Sequence, residues 1–231
     1  MRIAIVLMLM LTSQVHAGLA MRGLAAVRAN MSSIPRDGLV AEYLFDTDAR
    51  DTSGNGWNGS LVGNASCDGV LNLDGSGDYV TISTNLLSRY FTISAWCNSS
   101  VSNSTQQSIV AQYSSSVDRR FYVYSYLSSI RVFSKLGATP YIGLSYPIST
   151  GEWYHLIVFS GTNGVGYYVD GEYVDIDPDW KFPYSVLDVD TVIGAVTGGS
   201  YPFNGTLDNI RIYNKQVSSD TVSKLYNEGH D

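Results

Sequence analysis

Cysteine is almost missing from this chain: Cys67 and Cys97 are the only two. With only three widely spaced histidines beside them, they cannot build a Cys/His metal centre. Charge is sparse as well. Asp, Glu, Lys and Arg together make 15% of the residues, the net charge is −7, and no Lys/Arg run exists to neutralise phosphates, which removes nucleic acid as a partner. Glutamate is confined to Glu42, Glu152, Glu172 and Glu228, too few and too scattered to suggest the paired carboxylates of glycoside hydrolysis. No Gly-x-Ser-x-Gly elbow is present. His16 and His230 lie near the ends, leaving His155 alone, so an enzyme is disfavoured. Long apolar runs are lacking too. Ile3–Leu11 offers nine residues, whereas a membrane-spanning helix needs about 20, so no transmembrane segment is expected.

What is abundant points to strands. Aromatic residues make 12% of the chain and there are 22 glycines among its 231 residues, a balance that favours an all-β domain. Residues 1–17 read as a secretory signal peptide. Arg2 precedes Ile3–Leu11, polar Thr12-Ser13-Gln14 follows, and Val15-His16-Ala17 ends in the small residue that cleavage requires. The competing reading is a retained arm packed against a partner or a virion. Residues 18–37 read as a linker or N-terminal arm, and Pro35-Arg36-Asp37-Gly38 supplies the turn that opens a domain over residues 38–231.

Within that domain Leu39–Phe45 alternates as a first strand. Thr162-Asn163-Gly164 and Asp170-Gly171 are hairpin turn signals, so Trp153–Phe159, Val165–Val169 and Glu172–Ile176 form a three-stranded meander. Near the end, Leu207–Tyr213 alternates cleanly, and Ser218 caps a short helix that Gly229 stops. In Phe121-Tyr122-Val123-Tyr124-Ser125-Tyr126 three tyrosines share a face. They make either a sugar-stacking platform or a strand covered by its own surroundings.

Several pieces occur together in one order. Tyr43-Leu-Phe-Asp46 is followed by Asp51-Thr-Ser-Gly-Asn55-Gly. Then come Asp74-Gly-Ser-Gly-Asp-Tyr-Val80, Phe91-Thr-Ile-Ser-Ala-Trp96, Glu152-Trp-Tyr-His-Leu156 and Phe203-Asn-Gly-Thr-Leu-Asp-Asn-Ile-Arg-Ile-Tyr-Asn214. The series resembles the laminin G-like, or concanavalin A-like lectin/glucanase, jelly rolls. That resemblance implies a two-sheet antiparallel sandwich with one short C-terminal helix near Ser219–Asn227, and Trp96, Ile193 and Ile212 deeply buried. The Glu-x-Asp-x-x-Glu strand of the family's glucanases is absent.

The resemblance also implies a structural Ca²⁺ held by the first loop and the last strand, with Asp51, Asn55 and Asp208 supplying oxygens. Without a cation the same Gly/Asn/Asp-rich segment is a plain surface loop. In a secreted chain Cys67 and Cys97 suggest a disulfide; otherwise they are two small buried hydrophobes that never meet. Asn30, Asn58, Asn64, Asn98, Asn103 and Asn204 each head a glycosylation sequon, which Ser/Thr-rich chains also produce by chance.

These features lead to a secreted, non-catalytic binding domain for a glycan or glycosylated surface. A structural or adhesive protein of a cell or virion surface, acting through protein contacts, is the alternative. Trp180 and Tyr184, in one long connection, are the expected sugar-facing aromatics. Alternatively Trp180 folds back over a sheet edge.

Overall fold

The structure, a computed structural model, describes residues 34–102, 104–114, 119–136, 139–180 and 189–230. The signal peptide, most of the expected arm, Tyr184 and the sequon residues Asn30 and Asn103 lie outside the described residues. The chain divides between Pro35 and Arg36, and the fold below is that of the unit beginning at Arg36.

In chain order the strands are β1 (Leu39–Tyr43), β2 (Ser60–Val62), β3 (Ser66–Cys67), β4 (Leu71–Asp74), β5 (Tyr79–Ile82), β6 (Phe91–Ser99), β7 (Gln107–Ser114) and β8 (Arg119–Ser125). There follow β9 (Ser129–Leu136), β10 (Thr139–Pro147), β11 (Trp153–Gly161), β12 (Gly164–Val169), β13 (Glu172–Asp177), β14 (Thr191–Ile193), β15 (Asn204–Tyr213) and helix α1 (Ser219–Glu228). Every named pairing is antiparallel. One eight-stranded sheet runs β13-β12-β11-β6-β15-β4-β3, with β1 on β15; a seven-stranded sheet runs β10-β9-β8-β7-β14-β5-β2. This is the two-sheet jelly-roll sandwich that the sequence motifs imply.

Alternation explains the core. Ile93, Ala95 and Cys97 of β6 meet Phe121 and Val123 of β8, Val132 of β9 and Ile193 of β14 in one buried cluster. Ile193 and Ile212 are fully buried, as expected. The meander also forms as read. Asp170 (φ 50°) and Gly171 (φ 78°) take the left-handed conformations that a tight hairpin needs. Asp170 also fixes the turn by accepting the His155 N–H at 2.8 Å.

The cysteines do not meet. Cys97 pairs with Leu207, Leu207 with Leu71, and Leu71 with Cys67. Three interstrand steps of about 4.8 Å separate them, far beyond the span of a disulfide. Both are free, Cys97 buried in the core and Cys67 packed against it.

The outer face of the larger sheet is closed by α1. Ser218 Oγ accepts the Thr221 N–H, and Gly229 donates its N–H to the Tyr226 carbonyl to end the helix. Val222 and Leu225 pack inward. Trp96 is buried, though beneath this helix rather than between the sheets. Its ring stacks on Tyr226 at 5.7 Å and tilts against His155 at 5.0 Å. Nearby, Arg211 bridges three elements, donating from Nε to Glu42 at 2.8 Å and from Nη2 to Glu228 at 2.8 Å.

His155 is 1% exposed, with Nε2 within 2.9 Å of Ser94 Oγ and Nδ1 lacking a protein partner. Burial, with the Arg211 charge beside it, pushes its pKa down to about 3, so the ring is held neutral. The unfolded chain, with a histidine near 6.5, binds the proton first, so stability is full above that value and falls with acidification. We expect unfolding free energy to drop between pH 6.5 and 5, before the carboxylates titrate, by at most about 1.4 kcal/mol per pH unit. Denaturant titrations should show this slope flattened in His155→Gln. A slope unchanged by that substitution would assign it to another group.

Candidate functional site

A concavity of about 860 Å³ lies on the outer face of the seven-stranded sheet. That volume is within the usual range for small-molecule sites, about 300–1,000 Å³. Strand alternation builds its floor. Phe121 and Val123 of β8 point into the sandwich, so Tyr122 and Tyr124 point out, where they form a separate cluster with Ala111, Phe133 and Val196. Tyr126 follows on the same side. Leu127 and Ser128 then reverse the chain in left-handed conformation (φ 47° and 54°), the pair that a two-residue hairpin needs. That turn sets Arg131 of β9 opposite Tyr124 of β8.

The walls come from two loops. Ser104, Thr105 and Gln106 lead into β7, and Tyr201 and Pro202 lead into β15. Tyr122 ties them together: its ring stacks on Phe133 at 4.7 Å and on Tyr201 at 6.2 Å, and its hydroxyl donates to Gln106 Oε1 at 3.1 Å. The backbone of Tyr201 is anchored by the Ser108 N–H, and Gln107 Oε1 accepts the Asn204 N–H. Tyr124 is 1% exposed and its hydroxyl pKa is raised by burial, against the pull of Arg131. Tyr201, 42% exposed, presents an open ring face. Arg131 lies over the Tyr126 ring at 5.0 Å. No Asp or Glu is among the described lining residues.

The tyrosine face is therefore covered in its middle by its own neighbours and open at its Tyr126 and Tyr201 end. The alternation of β8 made the tyrosines legible. Arg131 and Gln106 were missed, because only the hairpin register and the loop fold bring them to that face.

Trp180 does not serve as the expected sugar platform. It is 3% exposed, belongs to the main core, and donates from Nε1 to Ser134 Oγ at 2.6 Å, so neither ring face meets solvent. The Asp177 carboxylate accepts the Asp179 and Trp180 N–H groups and turns the chain inward there. Tyr184 lies outside the described residues.

The first loop runs along the free edge of β1. Asp51 Oδ1 accepts the Glu42 and Ser53 N–H groups, at 3.0 and 2.8 Å. Oδ2 accepts the Ser53 hydroxyl and the Trp57 N–H, at 2.8 and 3.0 Å. Burial would raise this carboxyl, but those donors outweigh it and hold the pKa below the usual range. Asn55 turns its amide nitrogen, not its oxygen, toward the Leu39 and Val40 carbonyls. Asp208 is buried on β15 opposite Trp96 of β6, where it accepts the Asn209 N–H. As arranged, Asp51 and Asn55 do not present oxygens to a Ca²⁺, since the Asp51 oxygens face four donors and Asn55 turns its amide nitrogen to carbonyls. No group of three or more His, Cys, Asp or Glu suited to a metal occurs among the described residues.

Asp51→Asn, which turns an N–H₂ toward two of those donors, should cost about 2 kcal/mol. The loss should be the same with and without EDTA, and the wild-type melting temperature should not respond to EDTA. A wild-type melt lowered by the chelator, with Asp51→Asn insensitive to it, would restore the cation.

No curated protein matches the chain significantly in sequence. Among solved structures, domain 4 of AbnA, an extracellular arabinanase of Geobacillus stearothermophilus seen with arabinotriose, aligns with TM-score 0.70 and 21% identity, over 81% of this chain and 98% of that one. The receptor binding domain of botulinum neurotoxin C/D mosaic serotype aligns with TM-score 0.68 and 15% identity, over 84% of this chain and 52% of its own. The binding domain of botulinum neurotoxin DC in complex with SialylT gives 0.64 and 14%, over 84% and 51%. The chain thus spans about half of these toxin chains. At such identities the likeness is one of fold. A family model also matches over residues 74–223, and on that match this chain belongs to the concanavalin A-like lectin/glucanases superfamily.

Proposed function

We propose that this chain is a secreted, non-catalytic binding domain that holds a glycan in the pocket between Tyr126 and Tyr201. The observation that carries the reading is the make-up of that pocket. An aromatic ring with an open face stands beside amide and hydroxyl groups on Gln106, Asn204, Ser104 and Thr105. Sugars present C–H faces that stack on aromatic rings and hydroxyls that pair with amides, and sites for polar ligands combine these two elements. The arabinanase domain, whose fold is alike, was seen with arabinotriose. The described lining residues include no carboxylate pair to act as acid and base, which supports binding without hydrolysis. Secretion rests on the Ile3–Leu11 leader pattern alone.

On a printed glycan array the purified domain should bind a restricted set of oligosaccharides. Tyr201→Ala should weaken that binding about tenfold, the order expected for losing one stacked ring. Its melting temperature should stay within about 2 °C of wild type, because the ring is half out of the protein, its stack on Tyr122 is a long one at 6.2 Å, and the backbone carbonyl that Ser108 uses is retained. Undiminished binding by Tyr201→Ala would move the site elsewhere. A well-folded domain that binds nothing on the array would remove the glycan reading and favour a surface protein acting through protein contacts.

A further inference from the structure

The cations of this acidic domain are mostly spoken for. Arg36 and Arg211 pair with Glu42, Arg50 with Asp48, Lys215 with Asp37 and Lys224 with Asp220. Arg131 differs. No described Asp or Glu forms an ion pair with it; its side chain hydrogen-bonds the Tyr124 hydroxyl, and its Nε–H is buried without a hydrogen-bond partner. The guanidinium lies 5.0 Å over the Tyr126 ring and lines the open pocket. Stacking on a ring leaves an arginine's planar edge in view, and the N–H donors not used by Tyr124 can meet an acceptor.

We infer that the pocket selects a glycan bearing a carboxylate, a sialic or uronic acid residue, and that Arg131 is the residue that reads the acid group. This inference rests on the glycan reading above and names the ligand class for the same site. The planar carboxylate matches a single guanidinium in a two-point contact. Polysulfated chains are a poorer fit. They are held by several cations, whereas Arg131 is the one charged side chain among the described lining residues, in a chain of net charge −7. Tyr201 and Gln106 would hold the sugar ring while the guanidinium takes the acid.

Titration calorimetry on the whole domain, in low salt, tests this with 3′-sialyllactose, its methyl ester and lactose. A glucuronic acid-capped disaccharide and its glucose-capped counterpart form a second pair. The acid should bind about tenfold more tightly than the ester or the neutral partner in at least one pair, and the preference should shrink in 0.5 M NaCl. In Arg131→Gln, checked for an unchanged melting temperature, acid and ester should bind alike, at the level of the ester on wild type. In Arg131→Lys, which keeps the charge but not the fork, the preference should be reduced but present. If wild type binds acid and ester equally, or favours a sulfated analogue over both, the inference is wrong while the glycan reading survives. If neither charged nor neutral sugars bind, the glycan reading itself fails.

Discussion

One buried cation holds the ends of this domain together. Arg211, 2% exposed at its side chain, lies between Glu42 of the first strand and Glu228 at the end of the last helix. Glu42 in turn receives Arg36 and the Thr52 hydroxyl. Burial would push the Glu42 carboxyl up, but Arg211, Thr52 and Arg36 outweigh it and hold it low; burial likewise works against the Arg211 charge, which the two glutamates restore. A charge taken so far out of water is tolerable only with all its donors engaged, so the first loop, β1, β15 and α1 must assemble as a set. The aromatic layer of Trp96, His155 and Tyr226 then closes beside it on the same outer face.

That closure decides where a ligand can go. Helix α1 occupies the outside of the larger sheet, and the Asp51 loop lines the exposed edge of β1, using Ser53, Asn55 and Asp51 to satisfy backbone groups there. Among the described residues, no such cover lies over the outer face of the smaller sheet at its Tyr126 and Tyr201 end. The cavity is what remains when one side of a sandwich has been sealed by its own chain.

Much of this was legible in the residues. Period-two patterning marked β1, β8 and β15, and turn chemistry at Thr162-Asn163-Gly164 and Asp170-Gly171 placed the β11–β13 meander where it occurs. The family motifs supplied the order. Three things were not legible, two because they depend on partners distant in sequence and one because it depends on hairpin register. Trp180 looked available for a sugar because it lies in a long connection, yet Ser134, in β9, takes its indole N–H and draws it inward. Cys67 and Cys97 looked ready to pair because each ends or borders a strand, but β15 and β4 are threaded between them. Arg131 gave no signal as a single letter; it acquires meaning from the register that sets it beside Tyr124.

Strand β8 carries the core on its odd positions, Phe121 and Val123, and the outer tyrosine layer on its even ones, Tyr122 and Tyr124, the latter lining the pocket. The two sets never compete for the same volume. A lineage built on this sandwich can therefore rewrite Tyr126, Arg131, Gln106 and Tyr201 in succession without loosening the layer behind them. Divergent ligands on a constant frame need no new topology, only substitutions at alternate letters of one hairpin and two short loops.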